Sequence, residues 1–118
     1  MRILRILCTT LLLAAGAAPA SAAPADWPTE ALAEYVFECM AVNGQTPEML
    51  RRCSCSIDRI AAKLPFEDYQ AAKAVLEMRS RQGGGDEVAL FRSTRWAQDI
   101  VDRLRRAQVE ADLACFGR

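Results

Sequence analysis

From residue 23 onward, apolar positions recur every three to four residues, and no stretch alternates apolar and polar residues over strand length. That period is helical and predicts an all-α protein. After a short Pro/Ala lead-in at 23–28, Thr29 or Asp26 is placed to cap a first helix that runs to about Asn43. Leu32, Tyr35, Val36, Cys39 and Met40 fall at i, i+3, i+4, i+7 and i+8, which is one face. Asn43-Gly44 supplies a left-handed stop.

The second helix has the clearest start. Thr46 is a cap residue, Pro47 suits the first helical position, and Glu48 favours the positive end of the dipole. Leu50, Cys53, Ile57, Ile60 and Leu64 then follow at steps of three and four as a buried seam, which Pro65 ends. A third helix is expected from Phe66 to about Gln82, with Phe66, Tyr69, Ala72, Leu76 and Val75 inward, before Gly83-Gly84-Gly85 breaks it. Asp86 to Phe116 has no proline or glycine. One helix of that length would reach ~46 Å, against ~25 Å for the others. A bend or a break is therefore expected near Ser93-Thr94, which leaves one helix or two open, with Trp96, Ile100, Leu104, Ala107 and Ala111 buried beyond it.

The opening residues change the picture from helices to compartment. Arg2 and Arg5, an uncharged apolar run from Ile6 to Ala18, and Ala20-Ser21-Ala22 make the three parts of a secretory signal. Residues 1–22 are read as a signal peptide and 23–118 as a single helical domain. The apolar run is shorter than the ~20 residues a spanning helix needs, and Cys8 lies inside it, so Cys8 is expected to leave with the leader. The remaining chain has 13 basic and 15 acidic residues, a formal charge of −2. That balance points away from nucleic acid and from an anionic membrane surface as partners.

Four cysteines remain: Cys39, Cys53, Cys55 and Cys115. In an exported chain an even set is read first as a disulfide framework, and a core this small needs one. Cys53 and Cys55 are two apart, which on a helix turns their side chains ~200° from each other, so each needs a different partner. Counted from the turn at Gln45, Cys39 and Cys53 stand at nearly the same height on facing helices. Cys39–Cys53 with Cys55–Cys115 is therefore favoured, and Cys39–Cys55 with Cys53–Cys115 is the other pairing. The fold expected is a small disulfide-stapled bundle of about four helices.

Candidate chemistry is sparse. The chain contains no histidine, which removes the commonest general base and metal ligand. Ser54, Ser56 and Lys63 lie on or near one helix, with Ser56 and Lys63 read as polar-face residues. No catalytic, cofactor-binding or metal-ligating set is expected. Four thiols and the nearby Met40 and Met49 leave a copper carrier or a redox carrier as the alternative. Two charged surfaces stand out. Glu30, Glu34 and Glu38 form an acidic stripe, and the last segment is arginine-rich, including Arg103, Arg105 and Arg106. Glu48/Arg52, Glu77/Arg81, Asp99/Arg103 and Asp102/Arg106 have the favourable acid-then-base order. Either surface would serve to steer a protein partner.

The run from Tyr35 through Cys39, Gly44, Cys53-Ser-Cys55 and Asp58, with Ala89-Leu-Phe-Arg and Val101-Asp-Arg-Leu-Arg-Arg106 later, resembles small exported helical proteins of methylotrophic and related proteobacteria. Those proteins are associated with pyrroloquinoline-quinone (PQQ)-dependent alcohol dehydrogenase systems. The resemblance implies a periplasmic accessory of quinoprotein alcohol oxidation, for assembly, cofactor handling or electron transfer, and makes such a dehydrogenase the first partner to test. It assigns no catalytic residue. With no active-site constellation in the residues, the function expected is that of a non-enzymatic, protein-binding accessory factor, periplasmic or secreted.

Overall fold

A computed structural model describes residues 26–81 and 85–117. The expected signal peptide, residues 1–22, and Gln82-Gly83-Gly84 lie outside the described residues. The protein is a small all-helical bundle with two disulfides: α1 (Thr29–Asn43), α2 (Pro47–Ala61), α3 (Phe66–Ser80), α4 (Asp86–Arg92) and α5 (Arg95–Cys115). No strand occurs among the described residues. Of the bend or break expected near Ser93-Thr94 it is a break that occurs, dividing the last segment into α4 and α5 and giving five described helices. Thr94 is the reason for the restart: its hydroxyl accepts from the Ala97 amide at 3.2 Å and caps α5.

The centre of the bundle is the pair α2 and α5. α1 lies on α2, α3 on α5, and α4 bridges α3 to α5. The seam on α2 buries Cys53, Ile57 and Ile60, and Leu64 just beyond the helix; Leu50, nearest the turn, stays exposed. α5 answers with Ala97, Ile100, Val101, Leu104, Ala107 and Ala111, and α3 adds Tyr69, Ala72 and Val75. Burial of such side chains contributes roughly 1.5–3 kcal/mol for each Val, Leu or Ile, and this three-helix contact holds most of it. Trp96 was expected in that core and is instead 52% exposed. It sits at the edge of the α5 stripe and rests on Phe91, ring centroids 5.7 Å apart, while Ala97 and Val101 take the inward positions.

The lead-in to α1 is part of the core. Trp27 is only 5% exposed, donates its indole N–H to the Leu64 carbonyl at 3.0 Å, and lies against Phe66 and Tyr69. Asp26 caps a different helix from the one expected. Its carboxylate accepts the Phe66 amide, the first of α3, at 3.0 Å, where the local cap residue is Pro65 and no side chain nearby can accept. α1 starts after Pro28 with no side-chain cap, and Thr29 is its first residue rather than its cap.

Thr46 does cap α2, accepting the Met49 amide at 3.1 Å. Gly44 closes the α1–α2 turn with a φ of 115°, a region that strains any residue with a Cβ.

Candidate docking surface along the first helix

Cys39 is joined to Cys53 and Cys55 to Cys115, each with Cα atoms 5.9 Å apart. This is the favoured one of the two pairings that helix rotation leaves, the one in which the joined cysteines of α1 and α2 stand at nearly the same height. Cys53 faces α1 and Cys55 faces α5, so one helix is tied to a neighbour on either side. All four thiols of the described chain are thus engaged with each other. Among the described residues no group of three or more Cys, Asp or Glu side chains is placed to hold a metal ion. No helix among them is long and apolar enough to cross a membrane.

α1 differs from every other long helix. None of its 15 residues is buried. Leu32, Tyr35 and Val36 lean on the core without being enclosed by it. The link nearest the middle of the helix is the Tyr35 hydroxyl, which shares a 3.0 Å hydrogen bond with Ser56 of α2. Ser56 is fully buried rather than on a polar face, and this bond is what makes its burial tolerable. Phe37 and Val42, meanwhile, are 73% and 85% exposed.

Clefts run along both flanks of α1. Toward α2 an apolar groove of about 480 Å³ is lined by Leu32, Val36, Phe37 and Met40 on one side and by Leu50 and Ile57 on the other. The opposite flank is polar and aromatic. A cleft of about 620 Å³ separates α1 from α3, with Glu34, Glu67, Glu77 and Lys73 on its walls and Phe66 and Tyr69 among its aromatic lining. A second, of about 430 Å³, separates α1 from the end of α5 and is lined by Tyr35, Glu38, Val42, Asp112 and Phe116. On α1 these two clefts take positions 31 and 34, then 35, 38, 39, 42 and 43, a single helical stripe, so they lie end to end. Lys73 joins them. Its ammonium is 4.0 Å from the Glu34 carboxylate, 3.7 Å from that of Glu38, and 5.7 Å from the centre of the Tyr69 ring.

Both tyrosine hydroxyls titrate above their ordinary value, chiefly because they are partly buried. Burial, followed by the charges of Glu38 and Glu34, pushes the Tyr69 hydroxyl up to about 12. Burial also raises Tyr35; the Ser56 hydrogen bond opposes the rise, and Asp112 adds to it.

The acidic stripe expected on α1 therefore divides. Glu34 and Glu38 face the clefts and share Lys73, whereas Glu30 is exposed and lines neither cleft. The arginine surface is less free than the sequence suggests. Arg103 reaches across to Asp68 of α3 at 2.8 Å instead of pairing with Asp99 on its own helix. Arg105 and Arg106 are exposed and make no ion pair among the described residues. Of the four same-helix pairs anticipated, Glu48–Arg52 is closed, at 2.6 Å. Lys63 is tied to Glu110 at 2.7 Å.

Lys73, Tyr69, Asp112 and Phe116 belong to this surface and were not anticipated as site residues. The available signal was Lys73 as the one cation of the third helix before its last turn, opposite an acidic stripe. No family model matches the chain, and no curated protein or solved structure matches it.

Proposed function

We propose that this protein is a non-enzymatic binding factor of an extracytoplasmic compartment, the periplasm or the exterior, and that α1 is the surface it presents to a protein partner. The observation that carries this reading is the helix itself: 15 residues, none buried, with Phe37 exposed and clefts along both flanks. A helix so placed adds little to the core, yet a covalent bond holds it in position. Large apolar side chains beside fixed charge are what partner-binding surfaces use. The two disulfides suit an oxidising compartment, as does the secretory signal read in residues 1–22.

The partner to try first is a PQQ-dependent alcohol dehydrogenase, on the strength of the sequence resemblance. Purified dehydrogenase would be passed over immobilised protein at low and high salt. Reversal of Glu34 and Glu38 to Lys, or substitution of Phe37 by Ala, should weaken capture while helical content is unchanged. Reversal of Arg105 and Arg106 to Glu tests the arginine surface of α5. Capture that ignores the α1 substitutions and follows the arginine reversal would move the docking site to α5. Capture that ignores all of them would defeat the reading.

A further inference from the structure

We propose that the two end-to-end clefts on the α3/α5 flank of α1 receive a lysine- or arginine-bearing segment of a partner protein, and that Lys73 occupies the cation position until that segment arrives. The inference rests on α1 being the docking surface and adds the chemistry of what docks.

Three observations carry it. The clefts hold five carboxylates, Glu34, Glu67 and Glu77 in one and Glu38 and Asp112 in the other, against the single ammonium of Lys73. Their linings are also aromatic: Phe66 and Tyr69 in one, Tyr35 and Phe116 in the other. A long basic side chain has an apolar stem and a charged head, so walls of this mixed kind suit it better than they suit a purely apolar or a small hydrophilic group. Lys73 shows the arrangement in use. Its head stands between Glu34 and Glu38 and over the Tyr69 ring, at 4.0, 3.7 and 5.7 Å, without closing a tight ion pair with either carboxylate. By contrast, Lys63–Glu110 and Arg103–Asp68 close to 2.7 and 2.8 Å. Lys73 is thus a loosely held cation in a site with carboxylates to spare. Burial is the main reason that both tyrosine hydroxyls titrate high; the nearby carboxylates, Glu38 and Glu34 at Tyr69 and Asp112 at Tyr35, add to the rise. The apolar groove on the other flank has no comparable feature that names its occupant.

The test is titration of the full exported chain with a short peptide of alternating lysine and alanine, followed by calorimetry and by backbone amide shifts. Binding should move the amides of α1 and α3 around Glu34, Glu38 and Tyr69, and should fall steeply with added salt. Glu34→Gln and Glu38→Gln should each weaken it by about twofold to fivefold, the range of one exposed ion pair. Lys73→Ala should strengthen it by a similar factor, and Lys73→Gln, which keeps the stem, should do the same. Glu30→Gln should leave it unchanged. Equal binding of an alternating glutamate–alanine peptide would overturn the proposal. So would loss of affinity in both Lys73 variants, or a Glu30→Gln effect as large as that of Glu34→Gln. Failure of the peptide to bind, with dehydrogenase capture still dependent on α1, would remove the cationic segment and leave the docking surface. A peptide that binds as described, with capture indifferent to α1, would do the reverse.

Discussion

α1 and α5 each lie on α2 and are tied to it by one disulfide, yet they differ sharply in burial. α5 buries six residues against α2 and α3; α1 buries none. The staples themselves have the same Cα separation of 5.9 Å. What differs is the alternative each helix has without its staple. α5 would still be held by Ile100, Val101, Leu104 and their neighbours. α1 would be left with a half-enclosed apolar face, the Tyr35–Ser56 hydrogen bond and the loose contacts of Lys73. One disulfide therefore reinforces a core, and the other substitutes for one. A helix that only leans on the core would have its outer surface free for the partner proposed above.

The comparison breaks most directly at the staples. The Cys55–Cys115 bond closes a separation of 60 residues, and the chain-entropy relation gives its loss about 4 kcal/mol. Replacing both cysteines by Ser should lower the melting temperature sharply. The α5 amides should remain the most protected against hydrogen exchange, because the core that holds them is intact. If α5 exchanged rapidly below the melting transition, its packing would be weaker than its burial implies.

Replacing Cys39 and Cys53 by Ser opens a separation of 14 residues, for which the same relation gives about 3 kcal/mol. Here the loss should be local. The α1 amides should exchange quickly while those of α2, α3 and α5 stay protected, as expected of a segment with few buried contacts. Uniform loss of protection would show that α1 belongs to the cooperative unit, against the contrast drawn above.

These contrasts were unevenly visible before the fold was known. The seams of α2 and α5 were legible because Cys53, Ile57 and Ile60, and Ile100, Leu104 and Ala107, keep helical spacing within one segment. The disulfide pairing was legible only as a preference: rotation separates Cys53 from Cys55, and rise favours Cys53 over Cys55 as the partner of Cys39 without excluding the other choice. Long-range choices were not. Trp27 and Asp26 look like lead-in until Leu64 and Phe66, some 40 residues on, supply the carbonyl and amide they meet. Arg103 has an acid one turn away on its own helix and takes Asp68 on another. Trp96 and Ala97 differ by one step around the helix, and the restart at Thr94 decides which of them turns inward. The acidic stripe was visible as a stripe; its division between Glu30 and the Glu34/Glu38 pair depends on where α3 places Lys73.

A smaller effect sharpens the comparison from the α3 side. The Tyr69 hydroxyl is pushed from 10.0 to about 12 by burial and by Glu38 and Glu34 of α1. Because the folded value is raised, the unfolded chain loses this proton first as pH rises. Its contribution is present below pH 10 and declines between pH 10 and about 12. Tyr69→Phe keeps the ring against Trp27 and should flatten stability over that alkaline window while changing little at neutral pH. Glu34→Gln with Glu38→Gln should flatten it in part, since burial remains. No change in the alkaline limb of either variant would mean that α1 does not project its charge onto α3.

The smallest expected effect lies at the outer edge of α5. Glu110 is fully exposed, and its carboxyl is held below the ordinary value of 4.5 by the hydrogen bond and charge of Lys63, which follows the end of α2. A depressed folded value means that the contribution is present above the unfolded value of 4.5 and disappears as pH falls through the folded one. Lys63→Ala should remove only that acid-side slope, leaving the melting temperature at neutral pH nearly unchanged, as is usual for exposed pairs. The contrast with α1 makes the measurement informative. If α5 is held by its buried stripe, cutting this ion pair should not alter exchange anywhere along α5. Faster exchange near Glu110 in Lys63→Ala would show that surface pairing shares in holding the helix, and that the two helices stapled to α2 differ less than their burial suggests.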